Sequence, residues 1–217
     1  MRVLGLTGDI ACGKSTVAQI LSERGAHVID ADLLVRELYS DPLFARRVIE
    51  LFADHFAGNS ATSVLSLTHH DGSINRAALG DLVFSDPRAL RQLEALVHPA
   101  VALLRDEKLQ TLHRLDAPPA VVVLEAVKLI ESGQARDCDV VWCVTCRPDF
   151  QAQRLMDKRG LSAAAARARV AAQPGLKAKR AALGAVPFVE IENNGSLDEL
   201  TCRVQAELAK IVVGAEH

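Results

Sequence analysis

The sequence predicts a three-layer α/β fold: a five-stranded parallel sheet covered by helices on both faces, with two helical excursions. Three observations carry this expectation. Five short apolar or β-branched runs alternate with helical patterns, as parallel strands joined by crossovers do. A glycine-rich turn joins the first run to the first helix. Two long stretches between the runs hold helical patterns and no convincing strand.

Taken in order, Val3–Leu6 is short and apolar, as a strand buried on both faces must be. Lys14–Arg24 then places Val17, Ile20 and Leu21 on one helical face, and Gly25 supplies the stop. His27–Ile29 is the second strand. From Asp41 to Leu115, Pro42, Pro87 and Pro99 punctuate helical patterns and Gly58–Asp71 reads as a polar loop, so residues 41–115 are expected to form a helical insertion. Ala120–Leu124 and Val140–Thr145 are the third and fourth strands. Pro148–Ala182, rich in Arg, Lys and Ala, is a second helical excursion. Phe188–Ile191 completes the sheet, and Ser196-Leu197-Asp198-Glu199 is a capping box opening a helix through Val212. The core is therefore residues 1–40, 116–147 and 183–217, interrupted by 41–115 and 148–182.

Composition narrows the functional classes. Of 217 residues, 49% are hydrophobic and 24% charged, which excludes a disordered chain, a collagen-like fibre and a disulfide miniprotein. With 25 basic and 27 acidic residues the net charge is -2, so neither nucleic acid nor a membrane surface is an expected partner. Six Phe, one Tyr and one Trp are too few for a base-stacking platform. No apolar run approaches the ~20 residues that span a bilayer, and the N-terminus reaches its glycine turn too soon for a leader. A cytoplasmic location is expected. The five cysteines are odd in number and lack framework spacing, which reads as reduced thiols. Cys143 and Cys146 form a CxxC inside the fourth strand run, but period-2 geometry sends them to opposite faces. Buried strand cysteines are the expectation there, and His69-His70-Asp71 reads as a solvated loop lacking further ligands at zinc spacing.

Gly8-Asp9-Ile10-Ala11-Cys12-Gly13-Lys14-Ser15 matches G-x-x-x-x-G-K-[ST] in full, between a strand and a helix. The glycines let backbone amides turn inward around phosphate oxygens, and the helix adds its N-terminal partial charge. Lys14 is expected on the β- and γ-phosphates of ATP and the Ser15 hydroxyl on Mg²⁺, with Thr16 next in the turn. A carboxylate aimed inward would repel phosphate, so Asp9 is expected to point outward. The fold type is therefore that of the P-loop nucleoside triphosphatases.

Ile29-Asp30-Ala31-Asp32 closes the second strand at the sheet edge where ligands bind. Two carboxylates there suit Mg²⁺ or a base, or else one of them caps the next helix. An acceptor that is already an anion needs no base, whereas an alcohol gains from one. An aspartate here favours an alcohol.

Further segments widen the comparison: Asp71-Gly72-Ser73-Ile74-Asn75-Arg76, Val83-Phe84-Ser85-Asp86, Leu93-Glu94-Ala95-Leu96-Val97-His98-Pro99, Gln153-Arg154-Leu155, Gln173 and Glu192-Asn193-Asn194-Gly195-Ser196-Leu197. With the phosphate loop and Asp-Ala-Asp they resemble the dephospho-coenzyme A kinase family, in family order over most of the chain. The resemblance implies transfer of the ATP γ-phosphoryl group to the ribose 3′-hydroxyl of dephospho-coenzyme A. It implies Asp32 as base, with Lys14 and Arg154 as the other catalytic groups and Asp30 as support for metal or substrate. It makes 41–115 the acceptor-binding insertion, with Arg76, Phe84 and His98 near the coenzyme A moiety. It makes 148–182 the lid that brings Arg154 over the phosphates, and puts Asn193 in the loop around adenine. Where that family closes its third strand with Asp-x-Pro-Leu-Leu-Phe/Tyr-Glu, this chain has Glu125-Ala126-Val127-Lys128-Leu129-Ile130-Glu131. Glu125 keeps the acid among the implied acceptor contacts, and Lys128 is expected to face a phosphate. A monomer or small homo-oligomer is expected. The rival readings are another P-loop small-molecule or nucleotide kinase acting on an alcohol, a GTPase-type switch (whose guanine-reading Asn-Lys-x-Asp is absent), and a silent coenzyme A-binding module.

Overall fold

The structure is a computed structural model that describes residues 1–52 and 67–213. All five expected strands are present: β1 (Arg2–Gly8), β2 (His27–Asp30), β3 (Val121–Glu125), β4 (Val140–Thr145) and β5 (Phe188–Glu192). The described helices are α1 (Lys14–Glu23), α2 (Ala31–Ser40), α3 (Pro42–Phe52), α4 (Arg76–Ser85), α5 (Pro87–His113), α6 (Pro148–Arg159), α7 (Ala163–Ala171), α8 (Leu176–Leu183) and α9 (Leu197–Val213). A 3-10 turn, Gln134–Asp137, precedes β4. The expected polar loop at Gly58–Asp71 falls largely outside the described residues. Its last part, His69, His70 and Asp71, is exposed, and Ser73 hydrogen bonds hold the Asp71 carboxyl below its usual range.

The chain divides into two compact units, Met1–Asp30 with Leu109–His217, and Ala31–Lys108. In the first, five parallel strands run in the order β2-β3-β1-β4-β5. From β1 the chain departs to one side for β2 and β3 and to the other for β4 and β5. The order reverses at β1, where open α/β sheets place their ligands. Strand alternation builds the core: Leu4, Leu6, Val121, Val123, Trp142 and Val144 join Val17 and Leu21 of α1 and Leu200 and Val204 of α9 in one buried cluster. The intervening Val122, Leu124, Val141 and Cys143 are also buried, so both strand faces are apolar, as parallel sheets require. Trp142 is the largest of the fully buried side chains, and its truncation to Ala should cost roughly 3–5 kcal/mol. The capping box of α9 forms as expected: Glu199 N–H donates to Ser196 Oγ at 3.2 Å, and Ser196 N–H donates to Glu199 Oε2 at 2.9 Å.

The second unit runs from Ala31 to Lys108, whereas the helical insertion was expected over 41–115. The reason is packing, since α2 runs against α3, with the Tyr39 and Phe44 rings 6.2 Å apart. Ile74 N–H donates to Tyr39 carbonyl at 2.9 Å, tying the segment before α4 to α2. Asn75 caps α4, its Oδ1 accepting from Ala78 N–H at 3.3 Å.

Candidate active site

The loop after β1 owes its shape to two glycines. A Cβ on Gly8 would lie 2.7 Å from the Val144 carbonyl oxygen of β4, and a Cβ on Gly13 would collide with the Asn193 side-chain amide. Gly13 also stands at φ 93°, left-handed, as the N-cap of α1, and gives the first-turn amides no side-chain partner. Thr16 and Val17 N–H groups bond to the Gly13 carbonyl at 3.0 and 3.1 Å, which fixes where the helix begins. Ala11 lies between the glycines at φ 60°, a conformation that costs an L-residue about 1 kcal/mol.

Glu125 ends β3 beside this loop. Its carboxylate is buried and accepts from Lys14 Nζ at 2.5 Å and from Ser15 Oγ at 3.5 Å. Glu125, expected from the resemblance among the acceptor contacts, thus touches Lys14 and Ser15 of the phosphate loop and first helix. β3 lies between β2 and β1 in the sheet, so the carboxylate next to the phosphate loop comes from β3. Asp30 is its lateral neighbour, in register with Glu125 across the β2–β3 pair. Asp32 sits in the first turn of α2 and is exposed. Lys128 is exposed beyond the end of β3, while the carbonyl of Val127 accepts from Thr7 Oγ1 at 3.0 Å.

Helices α6 to α8 fasten to the phosphate loop from the other side. Ile10 and Ala11 pack on a small core of Ala152, Leu155 and Ala166. Arg154 Nη1 donates to the Ala11 carbonyl at 3.1 Å and its Nη2 to the Asn193 carbonyl at 3.4 Å. Ile10 N–H donates to Gln173 Oε1 at 2.5 Å. Asp9 is not turned out to solvent: it is ion-paired with the buried Lys179 of α8. A carboxylate inside an anion-binding loop thus has its own counter-charge, which reconciles Asp9 with phosphate binding. The sequence reading singled out no role for Lys179 within the Arg-, Lys- and Ala-rich excursion. The one signal for it was the charge mismatch at Asp9.

Asn193 follows β5, as expected of the loop after that strand, but its side chain turns inward. Its Nδ2 donates to the Cys12 carbonyl at 2.7 Å, and the residue is buried. It supports the phosphate loop from behind. An open cleft of about 430 Å³ lies there, lined by Asn193, Asn194, Gly195, Glu199, Leu200 and Arg203, among others. In the Ala31–Lys108 unit, Arg76 opens α4, Phe84 in its last turn is 87% exposed, and His98 is half-buried before Pro99 in α5.

Among the described residues no cluster of three His, Cys, Asp or Glu side chains forms a metal cage. Ser15 Oγ and Glu125 Oε1, both hard oxygens 3.5 Å apart, do fit Mg²⁺, which takes few protein ligands and shares substrate phosphates.

Known proteins match this arrangement along its length. The dephospho-CoA kinase family matches residues 2–199. Dephospho-CoA kinase from Geobacter sulfurreducens is 40% identical over 211 residues, covering 97% of this chain and 98% of its own. That from Symbiobacterium thermophilum is 41% identical, covering 95% and 80%. A crystal structure from Thermus thermophilus superposes with a TM-score of 0.73 at 33% identity, covering 96% and 97% of the two chains. Shikimate kinase from Acinetobacter baumannii, at a TM-score of 0.51 and 16% identity, shares the fold.

Proposed function

On the premise that this chain belongs to the dephospho-CoA kinase family and phosphorylates dephospho-CoA with ATP, we propose how its residues divide that work. The phosphate loop, residues 8–16, cradles the triphosphate, and Lys14 leaves Glu125 to reach the β- and γ-oxygens. Ser15 and Glu125 would hold Mg²⁺, which when bound neutralises charge between those oxygens. Asp32 accepts the proton of the ribose 3′-hydroxyl as that oxygen attacks phosphorus. Asp30 supports the same carboxyl end of the sheet. Arg154, already bonded to the back of the loop, stabilises charge on the transferring group. Residues 148–182 act as the lid, and the helical insertion binds the acceptor through Arg76, Phe84 and His98, with Lys128 facing one of its phosphates.

The observation that carries this reading is the contact of buried Glu125 with both Lys14 and Ser15. It sets a metal-compatible carboxylate from the end of β3 beside the cation and hydroxyl that open α1. No helix among the described residues is long and apolar enough to cross a membrane; a cytoplasmic enzyme, monomeric or a small homo-oligomer, belongs to the proposed reading. The test uses γ-labelled ATP. Label should move to dephospho-CoA and should not move to the analogue lacking the 3′-hydroxyl. Equal transfer to shikimate or to a nucleoside monophosphate would favour the broader small-molecule kinase instead.

A further inference from the structure

The phosphate loop carries a thiol, Cys12, whose sulfur lies 3.3 Å from that of Cys146, 134 residues away. Sequence spacing pairs Cys146 with Cys143. The structure separates them: Cys143 is buried within β4, while Cys146 lies just past the strand end and is half-buried. Cys12 is fully buried. Its Sγ also accepts from Gln151 Nε2 at 3.0 Å, and Cys146 Sγ accepts from Arg154 Nη1 at 3.6 Å.

We propose that Cys12 and Cys146 form an oxidant-modification site at which peroxide joins the phosphate loop to the root of the lid by a reversible disulfide. The two sulfurs need to close by little more than 1 Å to reach the ~2.05 Å of a disulfide. Their roles follow from their surroundings. Cys146 faces both solvent and the Arg154 guanidinium, so it meets the oxidant. Cys12 waits behind it as the resolving thiol. Either thiol can donate across the pair. Once Cys146 ionises, Cys12 is the donor, and this bond, helped by Arg154, holds the Cys146 thiol below its ordinary range. The same bond and burial push Cys12 upward.

In the first step the Cys146 thiolate attacks one oxygen of hydrogen peroxide and hydroxide leaves, giving a sulfenic acid. In the second the Cys12 thiol attacks that sulfur, and its proton leaves with the hydroxyl as water. Two thiols and one peroxide thus yield one disulfide and two waters. The bond draws Cys12 toward Cys146, away from its hydrogen bond to Gln151, and turns the thiolate that Arg154 contacts into a neutral disulfide sulfur. Since Arg154 is also bonded to the adjoining Ala11 carbonyl, the cross-link disturbs the loop and the lid arginine together.

The test treats the reduced full-length protein with hydrogen peroxide and follows turnover, intact mass and non-reduced peptide maps. Kinase activity should fall about tenfold or more, as loss of one charge-stabilising donor does. The mass should fall by two hydrogens, a Cys12–Cys146 peptide should appear, and dithiothreitol should restore activity. Cys146→Ser should retain its basal rate and resist peroxide, whereas Cys202→Ser, altered at an exposed thiol of α9, should remain sensitive. Oxygen adducts on Cys146 with no linked peptide, a bond between other cysteines, or peroxide sensitivity persisting in Cys146→Ser would each overturn the proposal. The peptide map reads the bond itself, independently of the role given to Arg154 in turnover.

Discussion

Around the phosphate loop, polar side chains are engaged with one another. Lys14 holds Glu125, Asp9 holds Lys179, Asn193 holds the Cys12 carbonyl and Arg154 holds that of Ala11. These partners come from β3, α8, the end of β5 and α6, so the loop is braced from four directions. The Ala31–Lys108 unit presents a different surface. Phe84, Leu43 and Leu103 are 87%, 68% and 66% exposed, and Arg76 is exposed as well. The contrast separates two ways of making a site. A donor site fixed by its own cross-links passes any substitution into loop geometry and hence into turnover. A surface of exposed apolar and basic groups, if it binds the acceptor as proposed, passes it into affinity for that acceptor.

Asp32 is the sharpest challenge to that division, because it belongs to the second unit yet is assigned a chemical role. Asp32→Asn should lower kcat by about 10³ with the KM for ATP unchanged, the loss of one general base. Steady-state kinetics with both substrates varied decides it, and near-normal turnover would remove Asp32 from the chemistry. Next in size is Arg154→Ala, expected to lower kcat by about 10². Arg154→Lys should recover only part of this, because a lysine cannot span the carbonyls of Ala11 and Asn193 together. Full rescue by lysine would reduce the residue to a point charge.

The five strands, the phosphate loop and the capping box were legible because each rests on local chemistry: periodicity, glycine backbone freedom, a reciprocal side-chain cap. The contact of Glu125 with Lys14 was not, because strand order is not local. The chain visits β2 before β3, yet β3 is the strand that lies against β1, and no spacing in the sequence announces that exchange. Lys179 and Cys146 were missed for the same reason, since each meets its partner across more than a hundred residues. The second compact unit starts ahead of residue 41 because α2, though it follows β2 directly, finds its apolar partner in α3. Asn193 follows the fifth strand as its sequence position implies, but its rotamer answers to the Cys12 carbonyl, a demand of packing that its loop position does not reveal.

Lys179 allows the donor half of the contrast to be tested by charge alone. Lys179→Met leaves Asp9 as an unpaired carboxylate within the phosphate loop, and the KM for ATP should rise about tenfold, equivalent to ~1.4 kcal/mol. Adding Asp9→Asn removes the stranded charge and should return most of the affinity, a positive coupling in a double-mutant cycle. If the two changes were instead additive, the ion pair would be packing and not counter-charge.

The smallest effect tests the other half. Phe84→Ala should raise the KM for dephospho-CoA about fivefold, the scale on which an exposed ring contributes by covering a ligand's apolar surface. The KM for ATP and the melting temperature should stay where they are, since a ring this exposed stabilises little in the folded chain. A fall in melting temperature would show that Phe84 belongs to the packing of its own unit. An equal change in both KM values would undo the separation of donor and acceptor surfaces, because a residue outside the braced loop would then be acting on the nucleotide. A change confined to the acceptor is what the proposed acceptor-binding role of Phe84 requires.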